Sequence, residues 1–213
     1  MAEKKEVLVK MAVVGPVGTN CYIVHREGNS SCVVVDPGAN GDRIADMIRE
    51  DGLTLEAILL THGHFDHFEG VPELTSELGG KVYILEQERE LIADPMMNGS
   101  RGLMGHSTAL EPECTVRDGE RLTLAGMEFR VIHTPGHTAG GCCYYLEEEG
   151  FLFAGDTIFM ESIGRTDLAT GNMKEILVSI REKILVLPDD TRILPGHGPV
   201  TDVGYERANN PYA

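Results

Sequence analysis

Three histidines and one aspartate lie within six residues of the segment "LLTHGHFDHFEG" at 59–70. They are His62, His64, Asp66 and His67. Imidazole and carboxylate groups together are donors that zinc, iron and manganese bind in proteins. Alternate side chains of an extended segment point to the same side, so His62 and His64 can face one point in space. The segment therefore predicts a metal site, against the alternative of a purely structural polar turn at the end of a strand.

Three further donors follow apolar stretches elsewhere in the chain. His137 stands in "HTPGHTAGG", Asp156 in "LFAGDTIF" and His197 in "ILPGHGP". Each comes at the end of a predicted strand, beside glycine, where backbones can approach closely. One such residue alone is more often structural, but the full set provides two three-donor sites and one shared carboxylate. We expect two divalent ions, because four neighbouring donors crowd a single ion.

Apolar periodicities indicate the elements that must position these donors. The β-branched stretches "SCVVVD" and "EAILLT" predict buried strands, and "GDRIADMIREDG" and "NMKEILVSIREKILVLP" predict amphipathic helices. Residues 95–112 have no clear period and are predicted to form a long loop, a feature that is often functional. Strands that end in short polar loops, with helices between them, indicate an α/β sandwich.

The composition limits the partners and the location of the protein. The net charge is −16, from 34 acidic and 18 basic residues, and so acidic a chain is repelled by nucleic acid and by anionic membranes. No apolar run reaches the ~18 residues of a membrane-spanning helix. Residues 1–15 predict a strand and not a signal peptide, because Lys10 interrupts the apolar part. Five cysteines without a CxxC pair predict reduced thiols and a cytoplasmic protein. With no linker or repeat, a single domain is predicted over 1–213.

Six motifs follow one another along most of the chain. They are "DPG" at 36–38, "THGHFDH" at 61–67, "HTPGHTAGG" at 133–141, "GDTIF" at 155–159, "SIGRTD" at 162–167 and "PGHGP" at 195–199. In these motifs and in their order the sequence resembles the metallo-β-lactamase superfamily of binuclear hydrolases, and within it the glyoxalase II-like branch. The resemblance implies a four-layer αββα fold with the metals at one edge of the sheets. It also implies the ligand sets, with His62, His64 and His137 on one metal, Asp66, His67 and His197 on the other, and Asp156 bridging.

The activity that the resemblance implies is hydrolysis of a small-molecule thioester such as S-lactoylglutathione or a related acyl-thiol. Two ions, most simply zinc with iron or manganese as alternatives, lower the pKa of a bridging water to about 7, so that hydroxide can attack the acyl carbonyl. Asp66 is expected to orient this hydroxide as the catalytic carboxylate. A thiol leaving group, with a pKa of about 8.5, departs without a strong general acid. The sequence has no GxSxG segment, which argues against a serine nucleophile.

Two departures from glyoxalase II bear on the substrate. Only 16 residues follow His197, so the C-terminal helical domain that helps to bind glutathione in that family is expected to be absent. Gly198 and Pro199 stand where an acidic residue and a tyrosine are usual. Arg165 in "GRTD" occupies the position of a basic substrate contact in the family, which predicts that it binds substrate. The main alternative is a mononuclear iron persulfide dioxygenase of the related sulfur-metabolism branch, which shares the GRTD element.

Several other residues have no place in the metal pattern. Cys142 and Cys143 are predicted to be small packing residues on a strand. The long loop contains Met96, Met97 and Met104. These methionines are expected either to line a pocket or to cover the edge of the sheet.

Overall fold

Fourteen strands form the frame of the protein in a computed structural model that describes residues 5–213. They are β1 (Val7–Val14), β2 (Thr19–Arg26), β3 (Ser31–Val35), β4 (Thr54–Leu59), β5 (Lys81–Leu85), β6 (Cys114–Val116), β7 (Arg121–Leu124), β8 (Met127–His133), β9 (Cys142–Leu146), β10 (Phe151–Gly155), β11 (Ile158–Phe159), β12 (Ser162–Ile163), β13 (Arg192–Pro195) and β14 (Thr201–Asp202). β1 to β6 form the first sheet in chain order. The second sheet has the order β14-β13-β10-β9-β8-β7, and β11 and β12 form a hairpin.

The helices of the described chain connect and flank these strands. They are α1 (Gly41–Glu50), α2 (Phe65–Phe68), α3 (Val71–Leu78), α4 (Arg89–Ala93), α5 (Ser100–Met104), α6 (Met173–Ser179) and α7 (Val203–Asn209), with a 3-10 turn at Glu86–Glu88 and a π-helical turn at Ile180–Ile184. Asn172 caps α6, because its side chain accepts hydrogen bonds from the first backbone N–H groups of the helix. Within residues 5–213, no helix combines the length and the apolar character that crossing a bilayer requires.

Alternation of side chains along the strands divides the core into three parts. In β3, Val33 and Val35 face the second sheet, whereas Cys32 and Val34 face α1 and α3, as expected for side chains that alternate along a strand. The side chains of β9 alternate in the same way, between the first sheet and α6. The two sheets therefore pack face to face with helices on both outer sides, and the predicted four-layer αββα architecture is confirmed.

Most of the predicted elements are present, and two need correction. Residues 95–112 do not form a simple loop, because α5 forms inside this segment. It lies between Gly99 and Gly105, which have φ angles of 85° and 75°, and so short a helix leaves no apolar period to recognise. The helix predicted over 172–188 remains α-helical only as far as Ser179 and continues as the π-helical turn. The strand predicted in 1–15 is present from Val7, and residues 1–4 lie outside the described part.

The strand directions place several loops at one end of the sandwich. β3, β4, β5 and β6 are parallel to one another, and β10 is parallel to β13. β8 and β10 flank β9 in antiparallel pairs and thus run in the same direction. Ligand sites of α/β sheets lie outside the carboxyl ends of parallel strands. The segments after β3, β4, β8, β10 and β13 are therefore the place to look for function.

Candidate metal centre

The seven predicted donors come together at this end of the two sheets. Their donor atoms form three groups, within each of which the atoms lie no more than 4.8 Å apart: His62, His64 and His137; His62, His67 and Asp156; and Asp66, His67 and His197. The loop after β4, the helix α2 and the segments after β8, β10 and β13 all contribute. The first and third groups are the two ligand sets that the family resemblance implies.

Asp156 lies between these two sets. Its Oδ1 is 3.4 Å from Nε2 of His67, and its Oδ2 is 3.6 Å from Nε2 of both His137 and His197. Oδ2 of Asp66 is 3.3 Å from Nε2 of His197 and 3.7 Å from Nε2 of His67. Two atoms that bind one ion at about 2.1 Å can lie no more than about 4.2 Å apart. All of these separations are within that limit.

The central donors have no hydrogen-bond partner among residues 5–213. Nε2 of His62, Nε2 of His67 and Oδ1 of Asp156 are buried and accept or donate no hydrogen bond. Leaving a buried polar atom unpaired costs about 1–3 kcal/mol, and buried polar atoms are normally paired. Burial also lowers the pKa of His62 well below its usual value and that of His64 to about 3. Both rings are therefore neutral, which is the form that binds metals, and the residues present fit bound cations.

Hydrogen bonds to the opposite ring nitrogen orient two of the histidines. Nδ1 of His67 donates to Oδ2 of Asp36 across 2.9 Å, and Nδ1 of His137 donates to the backbone oxygen of Arg165 across 2.7 Å. Because these oxygens are acceptors, Nδ1 carries a hydrogen in each ring, and Nε2 is the ring atom left for a metal. Metal-binding histidines in proteins are held by such partners.

Asp36 holds the histidine-rich segment from the end of β3. Its Oδ1 accepts a hydrogen bond of 2.8 Å from the backbone N–H of Thr61, and its Oδ2 one of 2.6 Å from the Thr61 hydroxyl. Its φ of 51° is uncommon for a residue other than glycine. Such strained positions concentrate at functional sites. The DPG motif marks this aspartate in the sequence, but its role as a support of His67 is visible only in the structure.

Glu88 is a second support that the sequence reasoning missed. Its carboxylate is fully buried. Oε1 accepts a hydrogen bond of 3.0 Å from the backbone of Gly63, and Oε2 accepts one of 2.8 Å from the backbone of Gly140. Burial raises the pKa of Glu88, although the hydrogen bond from Gly63 opposes this. The residue thus joins the loop of His62 to the loop of His137. It is one of three glutamates in the polar segment "LEQERE", where nothing distinguishes it.

The start of β2 supports the opposite side of the centre. The side-chain amide of Asn20 donates to the backbone oxygens of Pro195, across 3.0 Å, and Gly198, across 2.9 Å. These two residues flank His197. The hydroxyl of Thr19 donates to Oδ2 of Asp66 across 3.0 Å. No sequence motif marks either residue of β2, because their partners are remote in the chain.

A cavity of about 460 Å³ opens onto the donor cluster. Met104 lines it, whereas Met96 is exposed and does not contribute. Arg165, the predicted substrate contact, also lines the cavity. Its Nε and Nη2 atoms donate to Oδ1 and Oδ2 of Asp167 across 2.7 and 2.8 Å. The arginine therefore reaches the cavity as one half of a two-bond ion pair.

Comparison with curated proteins reveals relatives along nearly the whole chain. The probable metallo-hydrolase YqgX of Bacillus subtilis (strain 168) is 39% identical over 200 residues, which cover 93% of this chain and 94% of the relative. The hydroxyacylglutathione hydrolase GloC of Haemophilus influenzae is 32% identical over 195 residues, which cover 91% and 92%.

Solved structures share the fold over the same extent. The BLEG-1 B3 metallo-beta-lactamase has a TM-score of 0.92 at 39% identity and covers 96% of this chain and 99% of its own. TTHA1623 in a di-iron-bound form has a TM-score of 0.86 at 34% identity, covering 96% and 100%. ETHE1 from Myxococcus xanthus has a TM-score of 0.78 at 27% identity, covering 96% and 83%. A family model for the metallo-beta-lactamase superfamily matches residues 14–197, and the chain belongs to that superfamily.

Proposed function

We propose that the protein is a metal-dependent hydrolase that cleaves a thioester, either a hydroxyacylglutathione or a related acyl-thiol. The observation that carries this proposal is the pair of complete three-donor groups, joined by Asp156, at the opening of a cavity. Membership of the superfamily supports metal-dependent hydrolysis, and the similarity to YqgX and to GloC supports it further.

The grouping of the donor atoms indicates which residues would hold two ions. His62, His64 and His137 would hold one, and Asp66, His67 and His197 the other, with Asp156 between them. Divalent ions at such a site supply a water that is deprotonated near neutral pH and a Lewis acid for a carbonyl oxygen. Zinc is the simplest candidate for imidazole and carboxylate donors. Iron and manganese accept the same donors, and the similar TTHA1623 has a di-iron-bound form.

The protein groups at the cavity suit a good leaving group. Asp66 lines the cavity, and the hydroxyl of Thr19 holds one of its oxygens, so this carboxylate can orient a water and accept its proton. Apart from the metal donors, Arg165 is the only titratable side chain among the described residues that line the cavity, and arginine does not give up its proton in proteins. A leaving amine needs a proton donor, whereas a thiolate does not. This difference favours a thioester over an amide.

A second candidate is the mononuclear iron persulfide dioxygenase. The similarity to ETHE1 from Myxococcus xanthus and the "GRTD" element at 164–167 favour it. A single iron would need only part of the donor set, however. The presence of both His67 and His197 beside Asp66 supports the binuclear hydrolase instead.

One experiment separates the two candidates. The purified protein is analysed for metals and then assayed, with and without oxygen, on S-lactoylglutathione, on simpler thioesters and on glutathione persulfide. We expect about two ions per chain and thioester hydrolysis at the same rate under both atmospheres. Oxygen consumption with the persulfide and no thioester cleavage would instead assign the protein to the dioxygenases.

A further inference from the structure

Apart from the donors, Ser162 and Arg165, the cavity beside the donor cluster is lined by apolar side chains. Besides Phe65 of α2, they come from three segments, with Val17 between β1 and β2, Leu103 and Met104 at the end of α5, and Phe159, Ile163 and Leu168 in and after the β11–β12 hairpin. Val17, Leu103 and Met104 are 47%, 57% and 40% exposed. Large apolar side chains that remain exposed together are typical of surfaces that bind another molecule.

Away from the ions that the donors would hold, the cavity offers little to an anionic substrate. Arg165 is the only lysine or arginine among the described residues that line it, and Asp167 already occupies two of its N–H groups. The hydrogen bond from Arg165 lowers the pKa of Asp167 to about 2, so both partners are charged at neutral pH. A substrate carboxylate would therefore have to share the guanidinium with Asp167 in a pair whose side chains are 56% and 67% exposed, and exposed ion pairs contribute little to binding. The net charge of −16 adds long-range repulsion.

We propose that this cavity binds an uncharged apolar part of the substrate, so that the preferred substrates are thioesters with an apolar chain and not glutathione thioesters. The inference rests on the proposed function, because hydrolysis places the scissile bond at the donors and the rest of the molecule against the walls. The volume of about 460 Å³ is within the range of about 300–1,000 Å³ that small-molecule sites have.

A homologous series of substrates measures this preference. Acyl thioesters of N-acetylcysteamine, from acetyl to hexanoyl, extend the chain on the acyl side, and acetyl thioesters of alkanethiols extend it on the thiol side. Each methylene that enters the cavity should raise kcat/KM about fourfold, which corresponds to about 0.8 kcal/mol. We expect the rise in at least one series, and a lower kcat/KM for S-lactoylglutathione than for hexanoyl-N-acetylcysteamine.

Binding is measured independently of turnover with S-alkyl thioethers of N-acetylcysteamine, which cannot be hydrolysed. Calorimetry on the metal-loaded protein should give a Kd that falls with the length of the alkyl chain. Met104→Gln should weaken binding of the hexyl thioether about fivefold, since it replaces apolar wall by an amide. Met96→Gln is the matched control, because Met96 belongs to the same segment and is also exposed but does not line the cavity.

The outcomes distinguish this inference from the proposed function. Thioester hydrolysis that is insensitive to chain length, or a preference for the glutathione ester, would contradict the apolar substrate site. Neither result would contradict the proposed hydrolase activity. If the thioethers bind more tightly as their chain lengthens but no thioester is cleaved, the proposed hydrolase activity is contradicted. The apolar binding site would still be supported. Equal effects of Met104→Gln and Met96→Gln on thioether binding would place the apolar site elsewhere and also overturn the inference.

Discussion

Nδ1 of His67 lies 2.9 Å from Oδ2 of Asp36, and both side chains are almost completely buried. This hydrogen bond fixes the ring so that Nε2 faces the other donors. Asp36→Asn should therefore lower the affinity for metal about 10- to 100-fold, the usual effect of losing such a support. Titration of the metal-free protein against a competing chelator measures it. Asp46→Asn, at an exposed carboxylate of α1, serves as the control, and an equal affinity in both variants would contradict the role of Asp36.

Removal of single donors should empty the centre. We expect His62→Ala, Asp156→Ala and His197→Ala to reduce the metal content from about two ions per chain and to lose hydrolytic activity in parallel. Elemental analysis and kcat/KM are measured on the same preparations. His106→Ala is the control, because His106 lies outside the donor cluster and its exposed ring contacts Glu69. Full activity in all three donor variants would exclude the binuclear arrangement.

The ion pair of Arg165 and Asp167 can be opened without touching the donors. Asp167→Asn removes the negative charge that neutralises Arg165, so the freed guanidinium can pair with a substrate carboxylate. KM for S-lactoylglutathione should fall about two- to fivefold, the scale of an exposed ion pair, while KM for a neutral thioester stays the same. In a double variant that also carries Arg165→Ala, this decrease in the KM for S-lactoylglutathione should disappear.

The effect of Asp167→Asn should also be independent of pH around neutrality. The folded-state pKa of Asp167 is lowered to about 2, so the pair is lost only as the pH falls towards that value. The difference in KM is therefore expected to stay constant between about pH 5 and pH 8. An unchanged KM in the Asp167→Asn variant would mean that Arg165 does not reach the substrate, against its predicted role.

The loop-joining carboxylate of Glu88 should contribute to stability. Glu88→Gln leaves one acceptor oxygen for two backbone N–H groups, those of Gly63 and Gly140. The free energy of unfolding of the metal-free protein should fall by about 1–3 kcal/mol, the cost of an unsatisfied buried group. Urea denaturation measures it. Glu86→Gln, two residues away and half-exposed, should be close to neutral, and similar losses in both variants would argue against a specific role of Glu88.

The donors could be predicted from the sequence because a local sequence pattern marks each of them. An apolar strand, a glycine and a single polar side chain occur within a few residues around His137, Asp156 and His197. The supports could not be predicted, since their partners are distant in the chain. Glu88 bonds to Gly140 across 52 positions, and Asn20 bonds to Pro195 across 175. Only the packed sheets bring these pairs together.

The fold was predictable to a similar degree. Long strands and α1 have clear periods, whereas β6, β14 and α5 have two to five residues each, too few for a period to emerge. The single domain, the cytoplasmic location and the exclusion of nucleic acid and membranes as partners stay predictions from composition and sequence pattern.

The donor cluster draws its members from both sheets, and this has a thermodynamic consequence. The segment after β4 and the helix α2 belong to one half of the sandwich, and the segments after β8, β10 and β13 belong to the other. Ions bound there would cross-link the halves without a covalent bond, because only the assembled sandwich offers the complete ligand sets. A ligand that binds only the native state at 100 times its Kd stabilises it by about 2.7 kcal/mol. Chelation should therefore lower the melting temperature as well as the activity, and a cell starved of metal would hold a protein that is easier to unfold and degrade.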